Sequence, residues 1–185
     1  GRDFVEKAIA VRPDVRLPRT SLTHWLAQYG RLVEAVQNGR ATLRDFPAFQ
    51  PNRLALARAY VLLGLHEAAG ALLDEVEHGD AALERARADL ATARGDVGPL
   101  TAIAGARFAA LDRAPGDPLS FAERHVVRDY GLVLLHQSRN SEAADVLDWA
   151  VGGAAGVAGG TYDYMLVLKL LALARQRSGR PAAAL

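Results

Sequence analysis

A chain of 185 residues, half of them apolar, can bury one ordinary core or build one short repeat array. A charged fraction of 23% and a net charge of +1 exclude a charge-driven disordered tail and supply no global pull towards nucleic acid or a membrane surface. Without cysteine there is neither a disulfide nor a thiolate metal site.

The basic residues are 20 Arg against two Lys, Lys7 and Lys169. Together with the abundance of Ala, this skew points to a GC-rich bacterial genome. The compartment stays open between cytoplasm and periplasm. The longest apolar run, Tyr164 to Ala174, is interrupted by Lys169 and is too short to span a bilayer, so direct membrane insertion is not expected.

Strand signals are scarce, because no segment sustains a period-2 alternation. Helical spacing recurs instead, as in Leu54, Ala57, Val61 and Gly64, or Val127, Gly131, Leu134 and Leu135. Breaks fall at Pro13, Gly30, Pro47, Gly64, Gly79, Gly95, Pro115 and Gly179. In chain order the pattern predicts helices over 2–11, 16–29, 32–45, 51–63, 66–78, 81–94, 97–113, 118–137, 140–151 and 161–178, with the last five residues opening another. Asp117 before Pro118 reads as an N-cap followed by a proline in the first turn, and Asp80 as the cap of the helix near Ala81.

The breaks are periodic. Pro13 and Pro47 stand 34 residues apart, as do Gly30 and Gly64. An alanine follows each turn residue at a fixed offset of five: Gly30 to Ala35, Gly64 to Ala69, Ser138 to Ala143, Gly179 to Ala184. A residue tolerant of unusual backbone angles permits the tight turn, and the alanine lets the two helices cross closely.

These features resemble the tetratricopeptide repeat family. Leu56-Ala57-Arg58-Ala59-Tyr60 matches that family's first-helix pattern, and Tyr130-Gly131-Leu132-Val133-Leu134 keeps its glycine. The turn and second-helix start of the family are similar to GRLVEA (Gly30 to Ala35) and SRNSEA (Ser138 to Ala143), and its second-helix end to AIAVRPD, ending at Asp14. The resemblance covers nearly the whole chain and is strongest over 6–78 and 118–151. It implies an all-α fold, a right-handed α-solenoid of about four antiparallel helix pairs with a half repeat at each end. The implied division is a half repeat 1–14, repeats 15–48, 49–80, 81–116 and 117–160, and a partial repeat 161–185. On this view the chain is an internal fragment of a larger bacterial protein. Its exposed ends, around Phe4, Val5 and Ile9 and around Leu168, Leu171 and Leu185, would favour end-to-end self-association.

The pattern also departs from the family. Gly64 to Gly95 is 31 residues, Gly95 to Ser138 is 43, and Ser138 to Gly179 is 41; the unit near 81–113 lacks the Glu-Ala pair. An irregular superhelix is expected.

Little in the sequence suggests catalysis. The glycine-rich run Val151 to Thr161 lacks the preceding strand and the following Lys of a phosphate loop, and reads as a connection. His24, His66, His78, His125 and His136 include no pair at ligand spacing, so no metal and no cofactor are expected. No nucleophile has a base beside it in sequence, and no enzymatic activity is expected.

The resemblance implies instead a concave face built by the first helix of each pair. The positions it assigns there are Thr20, His24 and Gln28; Leu54, Arg58 and Val61; Arg85, Asp89 and Thr92; His125, Arg128, Leu132 and His136; and Lys169, Leu173 and Gln176. His24, Arg58, Arg85, Arg128, Leu132, His136 and Lys169 are the candidate partner-binding residues. Arg58, Arg85, Arg128 and Lys169 against Asp89 give a mildly basic, amphipathic groove, suited to an acidic and apolar peptide or helix; the alternative is a solvated helix face whose Arg residues follow genome composition. The Asn and Lys set with which some members of the family clamp a terminal carboxylate is absent. Trp25 is expected between paired helices, and Trp149 on the outer side of its helix, either packed under the glycine-rich connection or marking a contact surface. The expected function is a protein–protein interaction scaffold. Alternatives are the periplasmic region of an exopolysaccharide-export outer-membrane protein, loosely suggested by Ala106 to Ala114, or the sensor arm of a transcription regulator or cyclase.

Overall fold

A computed structural model describes residues 2–12, 14–77, 81–152 and 162–180. Those residues form α1 (Arg2–Val11), α2 (Arg16–Gln28), α3 (Leu32–Asp45), α4 (Gln50–Leu62), α5 (His66–Asp74), α6 (Ala81–Ala93), α7 (Gly98–Ala109), α8 (Phe121–His136), α9 (Asn140–Gly152) and α10 (Tyr162–Arg177). The protein is all-α, with helices packed on their sequential neighbours. Seven of the ten expected helices agree with these bounds to within a residue.

One turn recurs through the chain, and its geometry explains the glycines. Gly30, Gly64, Gly95 and Gly179 have φ of 76°, 75°, 96° and 71°, and Ser138 takes φ 60° at the matching place. Around each, two backbone bonds close the preceding helix. Arg31 N donates to Leu26 O at 2.9 Å and Gly30 N to Ala27 O at 3.2 Å. Leu65 with Tyr60, Asp96 with Ala91, Arg139 with Leu134 and Arg180 with Arg175 repeat the outer bond at 2.9–3.0 Å. This is the Schellman arrangement, which requires a left-handed residue just past the helix. After three of these turns comes the alanine expected at the crossing: Ala35, Ala69 and Ala143 are fully buried. Leu100, also buried, stands at that offset after Gly95. Ala184, Asp80 and the glycine-rich run beyond Gly152 lie outside the described residues.

Three helices differ from expectation. The segment expected to run to 78 stops at Asp74, because Val76 folds back into the core with 2% of its surface exposed. The helix expected over 97–113 ends at Ala109, and Leu111 turns inward after it. The helix expected to begin after Asp117 begins at Phe121. Its N-cap is Ser120, whose hydroxyl accepts from Glu123 N at 3.3 Å while the Glu123 carboxylate accepts from Ser120 N at 2.7 Å. This capping box satisfies two otherwise unpaired donors, which a lone Asp117 cap would not. Asp117 serves the preceding turn, where Oδ2 accepts from Ala114 N at 2.9 Å.

The chain divides into two compact units, Gly1–Pro99 and Leu100–Leu185. In the first, α2 packs on α1, α3 and α4, and α4 packs on α5 and α6. Its cores gather Leu26, Ala27, Ala35 and Ala59, and Leu56, Tyr60, Leu73, Val76, Leu83 and Leu90. A buried polar network joins three helices there. The Asn38 amide donates to Arg19 O and to Thr23 Oγ1, each at 2.7 Å, and the Asn52 amide donates to Gly39 O at 2.8 Å. Gly39 sits at a close approach: a Cβ there would lie 3.0 Å from Leu56 Cδ1 and 3.2 Å from Thr23 Cγ2, so those side chains would have to give by a few tenths of an ångström.

In the second unit α8, α9 and α10 pack on one another around Val127, Leu134, Leu147, Leu171 and Ala174. A Cβ at Gly131 would fall 2.7 Å from Leu147 Cγ, so α8 and α9 cross where only glycine fits. Of the two alternatives for Trp149, a contact surface or burial under a connection, the structure shows burial: its Nε1 donates to Asp117 O at 2.9 Å and its ring meets Phe108 edge-on. The returning segment before α8 supplies that carbonyl and covers the indole. Leu171, expected on an exposed end face, is also buried, because α10 turns it towards α9. Val5, Ile9 and Leu168 are half-buried.

Candidate functional site

The alternate helices α2, α4 and α6 bring the first three sets of predicted groove residues to one place within the first unit. Together they line a half-open groove of about 590 Å³ that includes Thr20, His24, Gln28, Leu54, Arg58, Val61, Arg85 and Asp89. Each helix contributes because one of its faces repeats at intervals of three and four residues. The same phase carries Leu17 and Ser21 on α2 and Ala82 and Ala86 on α6, which the family positions omitted. Val5 of α1 also lines it.

The lining is mostly apolar, and its walls are partly small. Ala57, Ala82 and Ala86 leave space that Leu or Ile would fill. Trp25, expected between the paired helices, is only half-buried. It packs against the Leu26, Ala27, Ala35 and Ala59 cluster, stacks on Tyr29 with ring centroids 4.4 Å apart, and lines the groove. Thr92, assigned to the concave face, turns its hydroxyl back to Ala88 O at 2.8 Å.

The charges in the groove are unequal. Arg85 Nε donates to Asp89 Oδ1 at 2.9 Å, one helical turn further along α6. Arg58 is exposed and makes no hydrogen bond or ion pair with any described residue. The Gln28 amide nitrogen lies 2.9 Å from His24 Nε2, a contact satisfied when the amide donates to an unprotonated ring nitrogen. Thr20 Oγ1 reaches towards Asn52 Oδ1 at 3.5 Å.

The remaining predicted site residues belong to the second unit. Arg128 is not an open cation: its Nε and Nη2 donate to Asp129 Oδ1 at 3.1 and 2.9 Å, and only 15% of its side chain is exposed. Asp129 is itself 6% exposed. Leu132 is half-buried on α8, His136 is exposed in its last turn, and Lys169 is exposed on α10. The expectation of four cations facing a single carboxylate therefore changes. Two, Arg58 and Arg85, share the described groove, and Arg85 is already paired.

Among the described residues no group of three His, Asp or Glu side chains could hold a metal ion, and no helix is long and apolar enough to cross a membrane. No family model matches the chain, and neither the curated proteins nor the solved structures contain a significant match.

Proposed function

We propose that the chain is a tetratricopeptide-like α-solenoid acting as a protein–protein interaction scaffold, and that the groove over α2, α4 and α6 docks a peptide or helix of a partner protein. One observation carries this reading. Side chains from three alternate helices converge on a single half-open groove whose lining is mostly apolar. A surface that kept apolar groups in water without a partner would cost solubility, whereas a partner with a matching face releases that water. Support for the family comes from the repeated Schellman turn and the buried alanine five residues beyond it. The groove offers recognition chemistry rather than a nucleophile held by a base, so the role proposed is binding and not catalysis.

The test is affinity capture from a lysate of the source organism, comparing the wild-type chain with Leu54→Ser/Arg58→Ala and with Lys169→Ala. The expected result is a partner retained by the wild type and by Lys169→Ala and lost from the double variant. A partner held equally by all three moves the docking site away from this groove.

A further inference from the structure

Resting on the docking reading above, we infer that the groove's occupant is an amphipathic helix of a partner protein whose apolar face carries one carboxylate, seated on Arg58. Three features of the groove lead there.

The first is charge. Arg85 and Asp89 neutralise each other at 2.9 Å, which leaves Arg58 as the open charge on the α4 wall. A wholly apolar ligand would bury that guanidinium without a counter-ion, an arrangement that desolvation strongly disfavours. A ligand with several acidic groups would bring a second carboxylate beside Asp89, and like charges in a partly dry groove repel. One carboxylate satisfies Arg58 and leaves the α6 pair intact. The guanidinium fork also suits a planar carboxylate better than any neutral acceptor.

The second is backbone. The groove walls are helices, whose N–H and C=O groups bond within their own helices and offer no sheet edge for a strand to join. The larger polar side chains in the groove are occupied as well, His24 with Gln28 and Arg85 with Asp89. An extended ligand would enter with its backbone polar groups unanswered, at a cost for each. A helix brings them already satisfied.

The third is shape. A volume of about 590 Å³ holds a few large side chains, not a whole helix. The small walls at Ala82 and Ala86 and the faces of Leu17 and Trp25 are therefore surfaces on which a ligand's apolar stripe would rest. Axes 8–10 Å apart place α2 and α6 about 18 Å from each other, the rise of about 12 helical residues.

The experiment is a display selection of helix-biased 14-residue peptides on the whole chain. Groove occupancy is read from the fluorescence of Trp25, with Trp25→Phe as the control for the buried Trp149. The expected binders carry apolar residues at i, i+3, i+4 and i+7 with a single Asp or Glu. The affinity of a representative binder should fall at least tenfold in Arg58→Ala. In Arg58→Glu, binding should return when the peptide's acid is replaced by Lys. Binders that lack an acidic preference, that keep their affinity for Arg58→Glu, or that are extended and proline-rich overturn the inference and leave the docking reading standing. If no selected peptide perturbs Trp25, the docking reading falls and the inference with it.

Discussion

The two units bring helices close together by different chemistry. In the first, α2, α3 and α4 are joined by Thr23, Asn38 and Asn52, and alanines fill much of the space between them. In the second, Val127, Leu134, Leu147, Leu171 and Trp149 occupy the equivalent volume with apolar bulk. The turn edges differ as well. Tyr29, Val33, Leu62, Leu63 and Leu65 stand exposed around the first two Schellman turns, whereas His136, Gln137, Ser138 and Arg139 surround the first such turn of the second unit. Hydrogen bonds are directional and apolar contacts are not, so the polar network fixes the relative rotation of α2 and α4 more tightly than leucines would. Those two helices carry most of the groove. A binding surface that must hold Leu54, Arg58 and Trp25 in fixed relation gains from such a backing.

The largest effects should come from the apolar unit. Leu147 is fully buried against Gly131, and Leu147→Ala should destabilise by about 4 kcal/mol through lost transfer energy and the cavity left behind. Gly131→Ala alone should cost about 2 kcal/mol, since its Cβ meets Leu147 at 2.7 Å and little can move. The double variant should cost clearly less than the sum, because truncating Leu147 empties the space the new methyl needs. Denaturant unfolding of the four proteins measures this, and strict additivity would show that α8 and α9 do not cross as described.

In the polar unit, Asn52→Ala leaves Gly39 O without its side-chain donor and should cost about 2 kcal/mol. It should also shift the emission of Trp25, because the α2–α4 relation loosens. A loss below about 0.5 kcal/mol, the range of ordinary surface substitutions, would mean that packing rather than the network holds this unit.

Much of this architecture is legible in the sequence, for local reasons. A left-handed turn residue and a small crossing residue are short-range demands, so Gly30–Ala35, Gly64–Ala69 and Ser138–Ala143 can be read directly, even where serine replaces glycine. His24, Arg58 and Arg85 are legible as neighbours because they share one phase on alternate helices. The failures are long-range or competitive. Trp149 could not be placed from its helix face alone, because its cover is the carbonyl of Asp117, 32 residues away. Arg128 was expected in the open groove because the family positions place it there, yet its guanidinium curls back to Asp129, a neighbour that on a helix usually points elsewhere. Ser120 and Glu123 carry a capping-box spacing that was there to be read. Asp117 and Pro118 form a more conspicuous start signal three residues earlier, and it prevailed.

Smaller effects should distinguish the turns. Ser138 pays for a left-handed φ that Gly64 adopts freely, so exchanging the two chemistries should move stability in opposite directions. Ser138→Gly should stabilise by about 0.5–1 kcal/mol, and Gly64→Ala should destabilise by about 1 kcal/mol. Nothing lies within 4 Å of a Cβ at Gly64, so backbone strain alone sets the second value. Urea midpoints report both. Two changes of the same sign would show that the turns are not equivalent.

The smallest expected effect is a pH dependence local to α8. The Ser120 hydroxyl and backbone, followed by Arg113 at 3.1 Å, hold the Glu123 carboxyl at about 2, below its ordinary 4.5. A carboxylate whose pKa is lowered in the folded state contributes stability that is fully present above about 4.5. That contribution is lost as the pH falls from there towards 2, while the neutral range is unaffected. Ser120→Ala removes the first of these partners, so the Glu123 midpoint should climb back towards 4.5 and the helix start should lose about 1 kcal/mol at neutral pH. Carboxyl-carbon NMR titration of wild type and variant reads the midpoint directly. An unchanged midpoint would assign the shift to the Ser120 backbone N–H, which the variant keeps, or to Arg113. Arg113→Ala would then separate the two: a midpoint that climbs would place the shift on the ion pair, and one that stays would place it on the Ser120 N–H half of the capping box.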